Sequence, residues 1–383
     1  MAATQQDVVA RVRAAMTSAG MSQQRLAVAI DIDPSALSRA LTCQRQFKSV
    51  EIALIAEALG VSVASLLATS SDAPEPMLVA ARTQPDTDIG TGIESVIARA
   101  TELVETDGLL TELGFSIRAE GYSVKFDENA PPYVQGQQMA DSLREQIEIG
   151  HEDLPANLTS LADFIEKKLH IDVAFEPLTD GFDGLSVCSG NFKLALISSR
   201  ISGTRQRFTL AHEIGHIIAG DSQSLHLDEN IYSRKSPEEV RANAFAAAFL
   251  MPAEGLRKAA SNTLIDEALV AELLGRFRVS IEALAFRLHN LQIVSAAERD
   301  RIRRMSSNRI ALRSGRTADL QARNDIRRPE ILLLRAINAY VEGAISIRPL
   351  ARVAQVEPEA LLEDLSPFRQ PDTTEESEAV LAP

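Results

Sequence analysis

The sequence predicts an α+β protein that is mainly α-helical and carries one small β-sheet. Two strand-like segments, 184–190 (GLSVCSG) and 192–199 (FKLALISS), meet at Gly190-Asn191, a dipeptide typical of a tight hairpin turn. On both sides of this pair, apolar residues recur at helical spacing, three or four positions apart. Residues that cap helices stand at the starts of several of these patterns. A further segment, 160–173 (SLADFIEKKLHIDV), predicts a helix that leads into a strand. Together these observations predict helices around a small sheet that includes the hairpin.

The first 69 residues predict a unit of five short helices. Ser22 stands where a helix N-cap is expected, and Asp33 precedes Pro34 in the order typical of a cap and a first helical position. Gly60 follows the fourth apolar pattern, as a C-terminal glycine does. A short segment, 62–68, closes the set.

Composition divides the remaining chain. Residues 70–92 are rich in Ser, Thr, Asp, Pro and Gly, which predicts a flexible linker, and residues 298–328 are rich in Arg and poorly periodic. The predicted organisation is 1–69, a helical domain; 70–92, a linker; 93–135, a helical connector; 136–297, a second domain with the strand pair; 298–328, an Arg-rich linker; 329–366, a helical segment; and 367–383, a disordered tail.

Bulk properties predict a globular protein of the cytoplasm with no membrane partner. The chain has 383 residues, of which 45% are hydrophobic and 24% charged. No apolar run reaches the ~18–20 residues that span a bilayer, and the N-terminus lacks the pattern of a signal peptide. Two cysteines, Cys43 and Cys188, suit a reducing compartment and exclude a disulfide framework or a cysteine-rich zinc knuckle.

The charge is uneven along the chain. The net charge of −14 argues against nucleic-acid binding by the whole surface. Residues 1–70 carry six basic against five acidic side chains, whereas residues 299–328 carry ten Arg against three Asp. A DNA site therefore belongs on the first segment or near the second, although 299–328 is equally well explained as a solvated basic linker.

A metal-binding pattern stands at 207–220, in RFTLAHEIGHIIAG. His212 and His216 are four apart, so on a helix they share one face and can reach one ion. Glu213 stands where it can take a proton from a water molecule and return it to the leaving amine. The alternative is two ordinary histidines packed on a buried helix face.

A catalytic zinc needs a third protein ligand. Ala219 and Ser222 stand where an extended pattern would need Gly and His, so that class is excluded. The following helix offers Glu238 and Glu239, and small residues after Glu239 would allow close helix approach. Either acid can instead complement the helix dipole. Weaker candidates in the intervening loop are His226, Asp228 and Glu229.

Three segments of the second domain together resemble one protein family. RQRFTLAHEIGHIIAG, followed by EEVRANAFAAAFLMP and FRVSIEALAFRLHNLQIV, resembles the ImmA/IrrE family of zinc metallopeptidases over about residues 136–295. The resemblance implies a Glu-zincin fold, Zn²⁺ held by His212, His216 and Glu239, catalysis by Glu213, and cleavage of helix-turn-helix repressors. Tyr232 and His226 are candidates for stabilising an oxyanion.

The N-terminal segment MSQQRLAVAIDIDPSALSRALTCQRQF resembles the helix-turn-helix of the XRE, or lambda-repressor-like, class. The resemblance implies a scanning helix near 23–29 and a recognition helix near 35–41 whose N-terminal polar residues meet base edges. The candidate DNA-binding residues are Ser35, Ser38 and Arg39 at bases and Gln23, Arg45 and Lys48 at phosphates. The alternative is a small helical bundle with exposed polar residues.

These predictions combine into one functional hypothesis. The protein is a transcriptional regulator, expected as a homodimer on operator DNA, with a zinc endopeptidase domain that cleaves a repressor or itself in response to stress or a mobile-element signal. One alternative is a transcription factor whose peptidase-like domain senses a metal or ligand, and another is a toxin–antitoxin member acting through protein binding. The C-terminal segment is either a dimerisation or substrate element or, as we favour, a packing element.

Overall fold

The computed structural model describes most of the chain. The described residues are 5–18, 21–30, 32–59, 66, 78–83, 93–116, 122–221, 236–260, 265–317, 321 and 324–365. They divide into two compact units, Met1–Glu75 and Pro76–Pro383. None of the described helices is long and apolar enough to cross a membrane.

The N-terminal unit is helical, as predicted. Its helices are α1 Gln5–Ser18, α2 Gln23–Ala29, α3 Pro34–Leu41 and α4 Ser49–Leu59. The Ser22 side chain caps α2, and the Asp33 side chain accepts the amide hydrogens of Ser35 and Ala36 at the start of α3. Leu26, Leu37 and Ile55 lie in its core. The predicted fifth helix falls outside the described residues, apart from the buried Leu66.

The larger unit is built on a four-stranded sheet. Its strands are β1 Leu78–Thr83, β2 Asp172–Glu176, β3 Phe182–Ser189 and β4 Phe192–Ser198, in the order β1-β3-β4-β2. β3 and β4 form the predicted hairpin, with Gly190 at a φ of 54°, and β2 runs parallel to β4. β1 pairs antiparallel with β3, so the prediction of a flexible linker over 70–92 is wrong for Leu78–Thr83.

Helices cover the sheet on both faces. They are α5 Ile93–Glu112, α6 Pro132–Gln146, α7 Leu158–Leu169, α8 Gly203–Ala219, α9 Pro237–Leu250, α10 Ala253–Ala260, α11 Glu267–Phe277, α12 Ile281–Asn290, α13 Ala296–Arg303, α14 Ser307–Arg313, α15 Glu330–Val341, α16 Ile347–Ala354 and α17 Pro358–Leu365. Side chains alternate along β4 as a two-sided sheet requires. Ala195 and Ile197 face one core with α6 to α9, and Leu194 and Leu196 face a second core with α5, α15 and α16.

The second core changes the predicted domain boundaries. Leu103 of α5 and Leu332 and Tyr340 of α15 are buried against the same sheet face. The predicted connector 93–135 and the C-terminal segment 329–366 therefore supply part of the larger unit's core. For the C-terminal segment, packing is the interpretation that the structure supports.

The Arg-rich stretch is not a linker either. It forms α13 and α14, and Arg327 pairs with Glu166 at 2.7 Å and with Asp163 at 2.8 Å. The backbone of Arg327 also exchanges hydrogen bonds of 2.9 and 3.0 Å with Phe175 of β2. Acidic partners distant in sequence thus hold a stretch whose composition alone indicated a linker.

Asp172 gives the larger unit an expected pH dependence. Burial, and secondarily the charge of Glu166, raise the pKa of Asp172 to about 8, although its carboxyl accepts the amide hydrogen of Leu332 at 3.0 Å. The folded protein then holds a proton that the unfolded chain, with an ordinary value of 3.8, releases. The free energy of unfolding should therefore fall as pH rises between those values, by at most ~1.4 kcal/mol per pH unit from this group.

Urea unfolding at pH 6 and pH 8 measures that dependence. Asp172→Asn keeps the shape and removes the titration, so we expect a smaller loss of stability between the two pH values than in the unmodified protein. Equal losses in both proteins would show that Asp172 does not hold the proton.

Candidate metal centre

Helix α8 carries the two histidines into the interior. Ser202 precedes it, and Gly220 ends it in the left-handed conformation at a φ of 71°. His212 and Glu213 are 0% exposed and His216 is 3% exposed. Such polar burial requires partners or an ion, because an isolated buried polar group is unfavourable.

The candidate ligand atoms converge. His212 Nε2 lies 3.1 Å from His216 Nε2. Glu239 on α9 brings Oε2 to 3.5 Å from His212 Nε2 and Oε1 to 3.3 Å from His216 Nε2. The three residues offer ligand atoms that all lie within 4.8 Å of one another.

Close helix contact brings Glu239 to the histidines. A Cβ on Gly215 of α8 would lie 3.3 Å from Ala242 Cα and 3.0 Å from Phe245 Cδ1, so small residues permit the approach. The Ser236 hydroxyl accepts the Glu239 amide hydrogen at 3.3 Å and fixes the first turn of α9. Glu238, the alternative in the sequence, is exposed.

Asp221 adds a contact that sequence reasoning missed. Its Oδ2 lies 3.3 Å from His216 Nδ1, on the ring edge opposite Nε2. Arg241 of α9 pairs with Asp221, and Arg241 in turn donates to Gln135 Oε1 of α6 at 3.0 Å. Its place just after Gly220 is the signal that could have identified it, since the Asp221 amide donates to the His216 carbonyl oxygen at 3.1 Å and so stays beside the last helical turn.

The electrostatics of the cluster favour positive charge. Burial lowers the pKa of His216, but hydrogen bonds with Asp221 and Glu239 and the nearby charge of Glu213 outweigh it and raise that pKa to about 10. Burial likewise opposes ionisation of Glu239, yet its hydrogen bonds with both histidines drive its pKa far below the ordinary value. The carboxylates that stabilise a proton on His216 would stabilise a bound cation between the two histidines and Glu239 in the same way.

In the N-terminal unit, the candidate base-reading residues share α3. Ser35 and Arg39 are exposed and Ser38 is half-buried. The Ser35 hydroxyl is hydrogen-bonded to Asp33, which caps the helix. On α2, Gln23 is half-buried in the first turn.

The two residues proposed for phosphates after α3 differ. Lys48 is exposed. Arg45 instead makes two hydrogen bonds, of 3.1 and 2.8 Å, to the carboxylate of Glu51. Arg45 therefore has a structural role between α3 and α4, and its phosphate contact stays a prediction.

Comparison with known proteins finds a matching family for the N-terminal unit and another for the part of the larger unit that holds the candidate metal centre. The family model described as the IrrE N-terminal-like domain matches residues 166–289, which include α8 and α9, and the model described as Helix-turn-helix matches residues 12–66. The chain joins a helix-turn-helix domain to an IrrE N-terminal-like domain. The predicted resemblance to XRE regulators and to the ImmA/IrrE family is thereby confirmed.

Two relatives share the IrrE N-terminal-like domain. The chain is 38% identical over 122 residues to the radiation response metalloprotease IrrE of Deinococcus radiodurans, covering 30% of this chain and 31% of that protein. It is 39% identical over 94 residues to the protein of the same name in Deinococcus deserti, covering 24% and 28%. The chain therefore spans less than a third of the length of each relative.

The donor set of the IrrE N-terminal-like domain fits zinc. Two imidazoles and one carboxylate are among the ligand combinations that zinc takes in catalytic sites. The Asp221 contact to His216 matches the carboxylate that commonly orients a ligating histidine. The loop candidates His226, Asp228, Glu229 and Tyr232 lie outside the described residues.

Removal of the Asp221 carboxylate should weaken metal binding. We expect Asp221→Ala to lower the affinity for zinc about 10- to 100-fold, because His216 loses the group that orients its ring. Competition with a chromophoric chelator measures the affinity. Asp180→Ala is the matched control, since Asp180 is 86% exposed and pairs with Arg200 at 3.3 Å on the surface. Equal affinities in the two variants would contradict an orienting role for Asp221.

Proposed function

We propose that this protein is a DNA-binding transcriptional regulator with a zinc-dependent endopeptidase domain, which cleaves a helix-turn-helix repressor, or itself, in response to stress or a mobile-element signal. The observation that carries the proposal is the convergence of His212, His216 and Glu239 beside the buried Glu213. The name of the Deinococcus relatives, radiation response metalloprotease, supports both the chemistry and the link to stress.

His212, His216 and Glu239 would hold the ion, and Glu213 would move the proton. Zinc bound there would supply Lewis-acid chemistry, lowering the pKa of water towards ~7 and polarising a peptide carbonyl. Glu213 follows His212 directly on α8, so its carboxylate can accept a proton from the attacking water and pass it to the leaving nitrogen. Glu213 is fully buried.

The N-terminal unit supplies the DNA contacts in this proposal. Arg39 is exposed on α3 and has the two-pronged donor geometry that pairs with guanine in the major groove. Lys48 would add a phosphate contact that positions the helix without reading sequence. A homodimer would double these contacts, which suits a unit of low net charge, and operator binding sets its action in the cytoplasm.

Elemental analysis for zinc tests the proposal. We expect about one zinc per chain in the unmodified protein, loss of zinc in Glu239→Ala, and retention of zinc in Glu238→Ala, because Glu238 is exposed and Glu239 contacts both histidines. An unmodified protein that takes up no zinc when zinc is supplied would make α8 a structural helix and overturn the proposal.

A further inference from the structure

Strand β1 lies near the start of the larger unit, which begins at Pro76. It begins at Leu78, three residues after the N-terminal unit ends at Glu75. It pairs antiparallel with β3, with Leu78 opposite Cys188 and Ala80 opposite Ser186, and it also contacts α8. The strand thus lies along the sheet edge nearest the metal-site helix.

Two landmarks fix the direction of α8 along β3. Arg205 Nε donates to Asp183 Oδ2 at 2.8 Å, and a Cβ on Gly184 would lie 2.7 Å from Thr209 Cγ2. Asp183 precedes Gly184 as Arg205 precedes Thr209, so α8 and β3 run in the same sense. At the start of both elements, Gln206 Nε2 also donates to the carbonyl oxygen of Ser198 at the end of β4, at 2.9 Å.

From these landmarks the level of the metal site follows. Four helical residues, from Thr209 to Glu213, rise about 6 Å. Two strand residues, from Gly184 to Ser186, rise about 6.6 Å. With Thr209 beside Gly184, these rises bring Ser186 to about the level of Glu213. The residue of β1 opposite Ser186 is Ala80, so β1 passes the sheet edge at the height of the candidate catalytic residue.

An extended peptide can bind a sheet by adding a strand to a free edge, with backbone hydrogen bonds supplying affinity for many sequences. The edge at β2 is closed, because the backbone of Arg327 bridges Phe175 and the Arg327 guanidinium pairs with Glu166 and Asp163. The edge at β3 is the one beside α8, and β1 occupies it.

We propose that β1 is an intramolecular occupant of the peptide-binding edge of β3 and controls access of peptide substrates to the metal site. The occupied edge excludes an extended segment of a second protein, and release of β1 opens the edge. This inference rests on the proposed endopeptidase function.

Peptide binding to the full chain tests the inference. The probe is a fluorescein-labelled peptide of residues 77–84, MLVAARTQ, added to zinc-treated protein carrying Glu213→Gln so that no turnover interferes. One variant replaces residues 78–83 with alternating Gly and Ser, and a second carries Ala80→Pro and Ala81→Pro, which remove ladder donors and leave the rest intact. The matched control replaces residues 70–75 with the same Gly-Ser sequence.

We expect both β1 variants to bind the probe at least tenfold more tightly than the unmodified and control chains, as measured by fluorescence anisotropy. A probe with proline at the positions of Ala80 and Ala81 should not bind. Faster amide exchange in β3 of the two variants provides a second readout. Equal probe binding by all four chains, or unchanged exchange in β3, would overturn the inference.

The outcomes separate this inference from the proposed function. Suppose that probe binding depends on β1 but that the protein with Glu213 intact hydrolyses no peptide. That result would support β1 as the occupant of a binding edge and would refute the proposed endopeptidase activity. Hydrolysis of a peptide at the same rate with and without β1 would support the endopeptidase and refute control by β1.

Discussion

Glu213→Gln should abolish peptide hydrolysis while leaving zinc bound. We expect a loss of about 10²- to 10⁴-fold in kcat, the range that a positioned general acid–base group contributes. Glutamine has the same shape but cannot accept the proton, and the ligand atoms of His212, His216 and Glu239 are untouched. The loss of activity is measured as hydrolysis of a quenched-fluorescent peptide. The zinc content of the same preparation shows whether the metal is retained.

Glu238→Gln is the matched control, since it makes the same chemical change at an exposed position. It should keep both zinc and activity. Full proteolysis in Glu213→Gln would falsify the proposed role of Glu213. Loss of zinc in that variant would instead give Glu213 a part in holding the site together.

The same pair of measurements addresses the alternative of a metal or ligand sensor. A sensor needs the three ligands but has no use for a proton acceptor beside them. An unmodified protein that binds zinc and hydrolyses no peptide would favour the sensor. The retention of Glu213, fully buried next to His212, favours hydrolysis.

Sequence alone predicts those residues of the candidate site whose relative positions are set within a single helix. Spacing alone places His212 and His216 on one helix face. The choice between Glu238 and Glu239 depends on how α8 and α9 cross, which the Gly215 contact with Ala242 sets and no spacing reveals. Asp221 was missed because its orientation depends on Arg241, twenty residues further along the chain.

The predictions that failed concern segments whose structure depends on distant partners. Residues 78–83 form a strand through pairing with β3, about a hundred residues away, and the Pro- and Ser-rich sequence around them hides that pairing. Arg327 is held by Glu166, 161 residues earlier. Composition describes a segment in isolation, whereas the structure of both segments depends on contacts with residues far away in the sequence.

Among the described helical glycines of the larger unit, Gly136 should be the one where replacement by alanine destabilises most. A Cβ at this position would clash with the carbonyl oxygen of Arg241 and would lie 2.8 Å from the amide nitrogen of Phe245. Both are backbone atoms of α9, so no side chain can rotate away and the two helices must separate. Overpacking usually costs ~1–3 kcal/mol, and a clash with backbone belongs at or above the upper end.

Gly108→Ala is the matched control, because it makes the same change inside α5, where a Cβ meets nothing within 4 Å. There alanine should stabilise by about 1 kcal/mol through its higher helix propensity. Urea unfolding measures both effects, and stabilities that change in the same direction would refute the close-contact account. Separation of α6 from α9 would also move Arg241 and Glu239, so Gly136→Ala should weaken zinc binding whereas Gly108→Ala should not. The helix contact that sets stability is thereby the one that positions the candidate third ligand.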